Sequence, residues 1–354
     1  MTLRTIFMPI AVVFLLLVSC SPADNPITTA ELNPTLIFES SSEDENYSFT
    51  AARNMAMDSE GNLYVFDYMD NFIKKYDRSG QHVVTFGSQG EGEGQFAHLM
   101  DIRVFGDRLL ALDSVGTLAF TLDGDFIEKT PFNEEVVCEF PQIREDGRFA
   151  GERYVPSALT KALTLRDPKG GELAQLAKYD LREFYPELEE GKDFFLQDYQ
   201  APFYLYSFQK NGSLLWAASN ECTVYSHSVE DSSIASTTIL SEEFTPLPIP
   251  ADQVAEMEEN AERIRGNPML HMYVPRFYQI VQHLLAAPSG DIWVYVLSAE
   301  KTGFLVFSPE GKLKGHYSVN AGFEMTRARI HMFGNAIYFF VPGRNSVKIH
   351  ASPF

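Results

Sequence analysis

The chain has 354 residues, of which 45% are hydrophobic and 13% aromatic, and sets 28 Lys+Arg against 48 Asp+Glu for a formal net charge of −20 at pH 7. The negative charge is spread along the chain rather than gathered in a tail, and such a field repels nucleic acid and anionic lipid surfaces. Length alone does not divide the chain, because all-β propellers and barrels run long as single domains.

Residues 1–20 read as a targeting segment, with Arg4 as its basic start and an apolar run from Ile6 to Val18 too short to span a bilayer comfortably. The run ends in Leu17-Val18-Ser19-Cys20, which resembles a bacterial lipobox. The resemblance implies cleavage before Cys20 and acylation of that residue, and more than one acyl chain gives stable anchoring. Ser21 rather than Asp follows the cysteine, which by resemblance to Gram-negative sorting implies the outer membrane of the cell envelope. An ordinary secretory signal with a coincidental cysteine is the alternative. Residues 1–19 are then a signal peptide, and 20–33, with two prolines and no periodicity, a lipidated cysteine and tether. Residues 34–354 form the folded domain. Cys138 and Cys222 remain, and an oxidising compartment permits a disulfide. Their expected strands lie at different radii, which favours two buried thiols.

Thr35–Ser40 look like a strand, and the acidic Ser41–Glu45 run reads as a solvated loop. Residues 54–96 then read as one four-stranded antiparallel unit. Met55 and Met57 lead into an Asp58-Ser59-Glu60-Gly61-Asn62 turn, Leu63–Phe66 and Phe72–Tyr76 follow, and Gln81–Phe86 comes after Asp77-Arg78-Ser79-Gly80. The stretch resembles an NHL repeat through Tyr64-Val65-Phe66-Asp67, the Asp67 to Asn71 spacing, Tyr76-Asp77 before Ser79-Gly80, and the FGSQGEGEGQF link. By that resemblance Asp67, Asn71 and Asp113 are structural positions that hold loops through side-chain to backbone hydrogen bonds.

Gly-containing turns followed by apolar strands recur six times, before LYVFDY, LLALDS, FAGERY, LLWAAS, IWVYVL and IYFFVP. The expected fold is therefore all-β, a six-bladed β-propeller of four-stranded antiparallel blades. The sixth unit runs out after its third strand, so Leu36–Ser40 is expected to supply the fourth and close the ring. Two connections are long, residues 181–203 and 242–277. In the second, Val254, Met257, Ala261 and Ile264 fall at helical spacing, with acidic residues early, Arg263 and Arg265 late and Gly266-Asn267-Pro268 as a stop, predicting a helix over 251–265. It either plugs its apolar stripe onto the propeller or forms a lid over the axis. This helix and the VPRFYQIVQHLLAAPSGDIWV stretch together resemble a group of uncharacterised bacterial six-bladed propeller lipoproteins, across nearly all the mature chain but poorly in the third and fourth blades.

The glycines from Gly87 to Gly94 suggest a phosphate loop, yet no helix opens after them and no Lys-Ser/Thr follows. No His-Glu-x-x-His, Gly-x-Ser-x-Gly or Cys-x-x-Cys occurs. Gluconolactonase-like propellers and amidating lyases collect metal ligands from several blades and leave no contiguous motif. The reading is a binding or scaffolding module, leaning away from an enzyme and needing no cofactor, for a protein, glycan or small anionic ligand. The alternative is a metal-dependent lactonase-like hydrolase or a lyase, with calcium as a candidate metal. Membrane association is expected through the lipid only, and nucleic acid is not a partner. Arg53, His98, Arg276 and Arg327 stand at or just before expected inner-strand starts and could focus an anion at the axis mouth, beside aromatic Tyr199, Phe203 and Tyr278 on the face of the long connections.

Overall fold

The structure is a computed structural model that describes residues 27–40, 52–68, 70–136, 138–155, 158–189, 195–196, 202–230, 236–267, 269–343 and 347–354. Cys20, the leader before it and Tyr199 lie outside the described residues.

Two N-terminal strands, β1 (Thr28–Leu32) and β2 (Thr35–Glu39), precede the first blade. Blade 1 comprises β3 (Ala52–Met57), β4 (Leu63–Asp67), β5 (Phe72–Tyr76) and β6 (His82–Phe86). Blade 2 comprises β7 (Leu99–Phe105), β8 (Arg108–Asp113), β9 (Gly116–Thr121) and β10 (Phe126–Pro131). Blade 3 comprises β11 (Glu139–Ile143), β12 (Phe149–Val155), β13 (Thr160–Arg166) and β14 (Glu172–Asp180). Strand β15 (Phe195–Leu196) lies in the first long connection, ahead of blade 4: β16 (Tyr204–Phe208), β17 (Leu214–Ala218), β18 (Cys222–His227) and β19 (Ser236–Glu242). The second connection carries helix α1 (Ala251–Ile264) and β20 (Leu270–His271). Blade 5 is β21 (Val281–Ala286), β22 (Ile292–Leu297), β23 (Thr302–Phe307) and β24 (Leu313–Val319). Blade 6 is β25 (Arg329–Phe333), β26 (Ala336–Pro342) and β27 (Val347–Pro353), completed by β2.

Turn chemistry sets the blades. Gly61 adopts φ 86° and Gly80 φ 82°, conformations glycine reaches without steric penalty, and Asp58 and Asp77 accept the backbone N–H groups of their own turns. Each second strand is buried on both faces; all five residues of Leu63–Asp67 are buried. Apolar clusters fill every gap between neighbouring blades, from Phe66, Phe96 and Phe120 between blades 1 and 2 round to Met55, Tyr76, Phe340 and Ile349 between blades 6 and 1. The ring is therefore closed by packing as well as by hydrogen bonds.

Strand β2 pairs antiparallel with β27, from Thr35 opposite Ala351 to Glu39 opposite Lys348, as the sixth unit requires. Residues 28–32, expected within the tether, instead add a fifth strand to blade 5: β1 runs parallel to β24 and buries Leu32 against Ile330 and Phe339. Four of its five side chains are exposed, so backbone pairing rather than apolar burial holds most of it. The long connections leave from the same face and pair with each other, β15 against β20 in parallel. Beneath them Leu159, Leu181, Tyr185 and Leu188 form a small separate core with Phe184 and Tyr273. Of the helix stripe only Val254 is buried; Met257, Ala261 and Ile264 are half-covered. Cys138 and Cys222 are both free and buried, and burial pushes each thiol up to about 12.

Removal of residues through Ser40 should leave β27 and β24 as open edges and lower Tm by roughly 5–10 °C, at ~2–4 °C per kcal/mol for a large domain. Truncation before Ile27 should leave Tm within about 1 °C of the full chain. Thermal unfolding of the two truncated proteins checks this, and equal melting would remove β1 and β2 from the domain.

Candidate functional site

The first strands of the blades stand side by side around the axis, and their residues alternate. Met55, Ile102, Leu284 and Ile330 are buried in the blades. Between them Asn54, Asp101, Arg103, His283, Arg329 and His331 point the other way, toward the axis. Register shifts near the starts of β3, β7, β11 and β21 put one extra residue into each strand, and such bulges re-aim side chains at a rim.

These groups come from adjacent and opposite blades alike. His331 of blade 6 is within electrostatic reach of Arg103 on blade 2, His283 on blade 5 and Arg329 of its own strand. Arg329 in turn senses Arg53 on blade 1, Asp101 on blade 2 and Tyr206 on blade 4. Only convergence at the axis lets blades 2 and 5, opposite each other in the ring, meet the same histidine. The lining is cationic within an acidic chain.

The one carboxylate in this group is committed. Asp101 is fully buried, accepts a hydrogen bond from Asn54 Nδ2, lies 3.3 Å from Arg103 Nε and accepts the Ile143 N–H at 3.1 Å. It thereby ties three consecutive blades. Burial pushes its carboxyl above the ordinary range, while Arg103 and the Ile143 N–H oppose that. No comparable partner serves Arg329. Its guanidinium is half-buried, makes no hydrogen bond or ion pair to any described residue, and sits 4.8 Å from the centroid of the Phe140 ring. Burial, then the neighbouring Arg53 charge, pulls its pKa down to about 10, so it stays charged at neutral pH. Arg53 is placed similarly, 3.9 Å over Tyr68 and 6.0 Å from Phe140.

Both axial histidines are neutral at pH 7. Burial takes His283 down to about 4, and its Nε2 donates to the Met325 carbonyl at 3.3 Å. Burial, then Arg103, Arg329 and His283, holds His331 well below the ordinary histidine range. His331 is 9% exposed and its ring nitrogens have no hydrogen-bond partner among the described residues.

Of the residues expected at the axis mouth, Arg53 is there. His98 lies one ring away, edge-on to Tyr68 at 4.7 Å. Arg276 instead pairs with Glu258 of α1 at 2.7 Å, and the Tyr278 hydroxyl donates to Gln253 at 3.0 Å, so both fasten the helix. Arg327 is exposed in the 3-10 turn Met325–Arg327, two residues short of Arg329. Phe203 lines a separate cleft of about 640 Å³ between blades 3 and 4 with Tyr179, Trp216 and Tyr225. Asn71 accepts from Leu99 N–H and donates to Ala97 O, both at 3.2 Å, while Asp113 accepts from Ala97 N–H at 3.0 Å and from His98 N–H at 2.5 Å. They hold the lead into β7. Asp67, fully buried, accepts from Asp70 N–H at 3.4 Å. Blade 3 has its own buried tie: Lys161 lies 2.5 Å from Glu152 and 2.9 Å from Glu139, and Glu152 accepts the Tyr204 N–H of blade 4. The carboxylates keep Lys161 protonated well above the lysine range despite burial.

A calcium ion needs roughly six to eight oxygen ligands. Among the described residues the axis offers one carboxylate, already bonded on both oxygens, among guanidinium groups, and no three His, Cys, Asp or Glu side chains come together. The donor set does not fit calcium.

Solved structures similar to this chain include an exported-protein candidate of Bacteroides fragilis (11% identity, TM-score 0.49, 92% of this chain and 99% of that one). A gluconolactonase of Xanthomonas campestris matches at 11% identity and TM-score 0.45, over 93% of this chain and 98% of its own. A virginiamycin B lyase of Staphylococcus aureus matches at 9% identity and TM-score 0.45, over 90% and 99%. No protein-family model and no curated protein matches the chain.

The histidines set a pH dependence. Their folded pKa values lie below the unfolded value near 6.5, so the unfolded chain binds more protons between pH 6.5 and about 4. Stability should be full above pH 6.5 and fall as pH drops through that window, by up to ~1.4 kcal/mol per pH unit for each histidine. Urea midpoints at pH 4.5 and 7.0 check this: His331→Gln should lose less stability on acidification than the wild type.

Proposed function

We propose that the protein is an envelope binding module that holds a small anionic ligand at the propeller axis and is carried on acyl chains at Cys20. The observation that carries the reading is Arg329, a half-buried, charged guanidinium without an acceptor among the described residues. A guanidinium has five N–H donors, and a charge-assisted hydrogen bond from them to an anion contributes about 1.5–3 kcal/mol. The one axial carboxylate among the described residues serves Arg103 and the backbone of Ile143. Arg53 stands close enough to Arg329 to depress its pKa, so an anion placed between them would satisfy donors from both and remove a like-charge contact. The axial donor set gives no support to metal-dependent hydrolysis.

Inorganic phosphate is the first probe. Calorimetric titration should show binding that Arg329→Gln weakens tenfold or more, about the loss of one charge-assisted hydrogen bond. Arg276→Gln, which loosens only the helix, should leave it unchanged. Equal binding by wild type and Arg329→Gln, or none by the wild type, overturns the reading.

The anchor is tested separately, by labelled palmitate fed to a Gram-negative host making the protein. Wild type should take up label and Cys20→Ala should not; equal label in both rejects acylation at Cys20.

A further inference from the structure

Phe140 combines features that folding alone does not call for. Its φ is 48°, in the left-handed region, where an aromatic residue is disfavoured, and Pro141 follows it, which restricts the backbone further. Backbone held in this way costs on the order of 1–3 kcal/mol and persists only where the surroundings fix it. Here the buried Tyr206 hydroxyl is shared between the carbonyls of Glu139 at 3.0 Å and Phe140 at 2.8 Å, and the β11 register shifts between Glu139 and Gln142. The result of this strain is an exposed phenyl group, 44% accessible, at a position that glycine or asparagine would fill at less cost.

The ring lies near two guanidiniums without an acceptor among the described residues, Arg329 at 4.8 Å and Arg53 at 6.0 Å from its centroid. Cation–π contact keeps each guanidinium against an apolar surface and leaves N–H groups free to fork onto a carboxylate. His283 and His331 nearby are neutral at pH 7, and the nitrogens of His331 have no partner among the described residues, so neither adds a positive charge for an anion to meet.

We propose, resting on the anion-binding reading above, that the axial ligand is a carboxylate borne on a ring, with the carboxylate at Arg329 and Arg53 and the ring against the exposed part of Phe140. An aromatic acid and a uronic acid both present this chemistry, since a sugar ring offers a C–H face where an arene offers a π-face.

The experiment is a calorimetric comparison of benzoate, glucuronate and acetate on the full chain and on Phe140→Gly. Wild type should bind at least one ring acid fivefold or more tighter than acetate; benzoate ahead identifies an aromatic acid, and glucuronate ahead a sugar acid. Phe140→Gly should erase that advantage while acetate affinity stays within twofold. Its Tm should hold within about 2 °C or rise, because glycine accepts the positive φ, so a lost preference is not lost folding. A ring acid no tighter than acetate in the wild type, or a preference that survives in Phe140→Gly, overturns the inference. Acetate and phosphate binding that depends on Arg329 would then still stand, whereas silence from every probe removes both readings.

Discussion

A closed ring of sheets forces its first strands together at one axis, and the side chains they turn inward must share that space whatever their charge. In this chain the shared space holds Arg103, Arg329, His283 and His331 with Asp101 as their carboxylate neighbour. Asp101 spends its two oxygens on Asn54, Arg103 and the Ile143 backbone, which stitches blades 1, 2 and 3. Structural use of the anion is what leaves Arg329 uncompensated. The apolar clusters between blades hold the ring against this repulsion, since they depend on none of the axial charges.

The face above the axis is shaped by the two long connections. They interlock through β15 and β20, rest on blade 3 through Leu159 and Tyr179, and reach the lead into blade 5 through Arg276 and Tyr278. Backbone pairing, an apolar cluster and the polar Arg276 and Tyr278 contacts together build the insertion as a braced unit rather than as a loose flap. Its half-covered stripe lies between the plug and the lid that helical periodicity allows.

The blades were legible because turn residues and two-residue alternation mark them directly: Asp58 to Gly61 and Asp77 to Gly80 do in the structure what those residue types do in any tight turn. Strand β1 was not legible, since Thr28–Leu32 is held at an edge by backbone bonds that composition does not record. Among axial basic residues Arg53 was found and Arg329 missed by two positions, because the 3-10 turn Met325–Arg327 delays the start of β25. The missed signal is a polar, apolar, polar triplet in a first strand. Asp101-Ile102-Arg103 and Arg329-Ile330-His331 both have it, and a strand packed between two blades has no other reason to carry charges on one side. Register shifts in four of the inner strands, each unsignalled in sequence, decide which residue of each strand reaches the axis.

The net charge of −20 and the cationic axis act at different ranges. Beyond roughly 8 Å at physiological ionic strength surface charge is screened, so an approaching ion meets the acidic exterior only weakly and the axis only once it enters. Inside, the lower dielectric strengthens the attraction of Arg329 and Arg53 for a single charge. A polyanion cannot use that well, because most of its charges remain against the acidic surface while one is accommodated. At neutral pH His283 and His331 are uncharged, so the positive charge at the axis comes from its guanidinium groups alone. The same division of charge sets a cationic axis inside an acidic exterior, so the two fields act on an entering anion at different ranges.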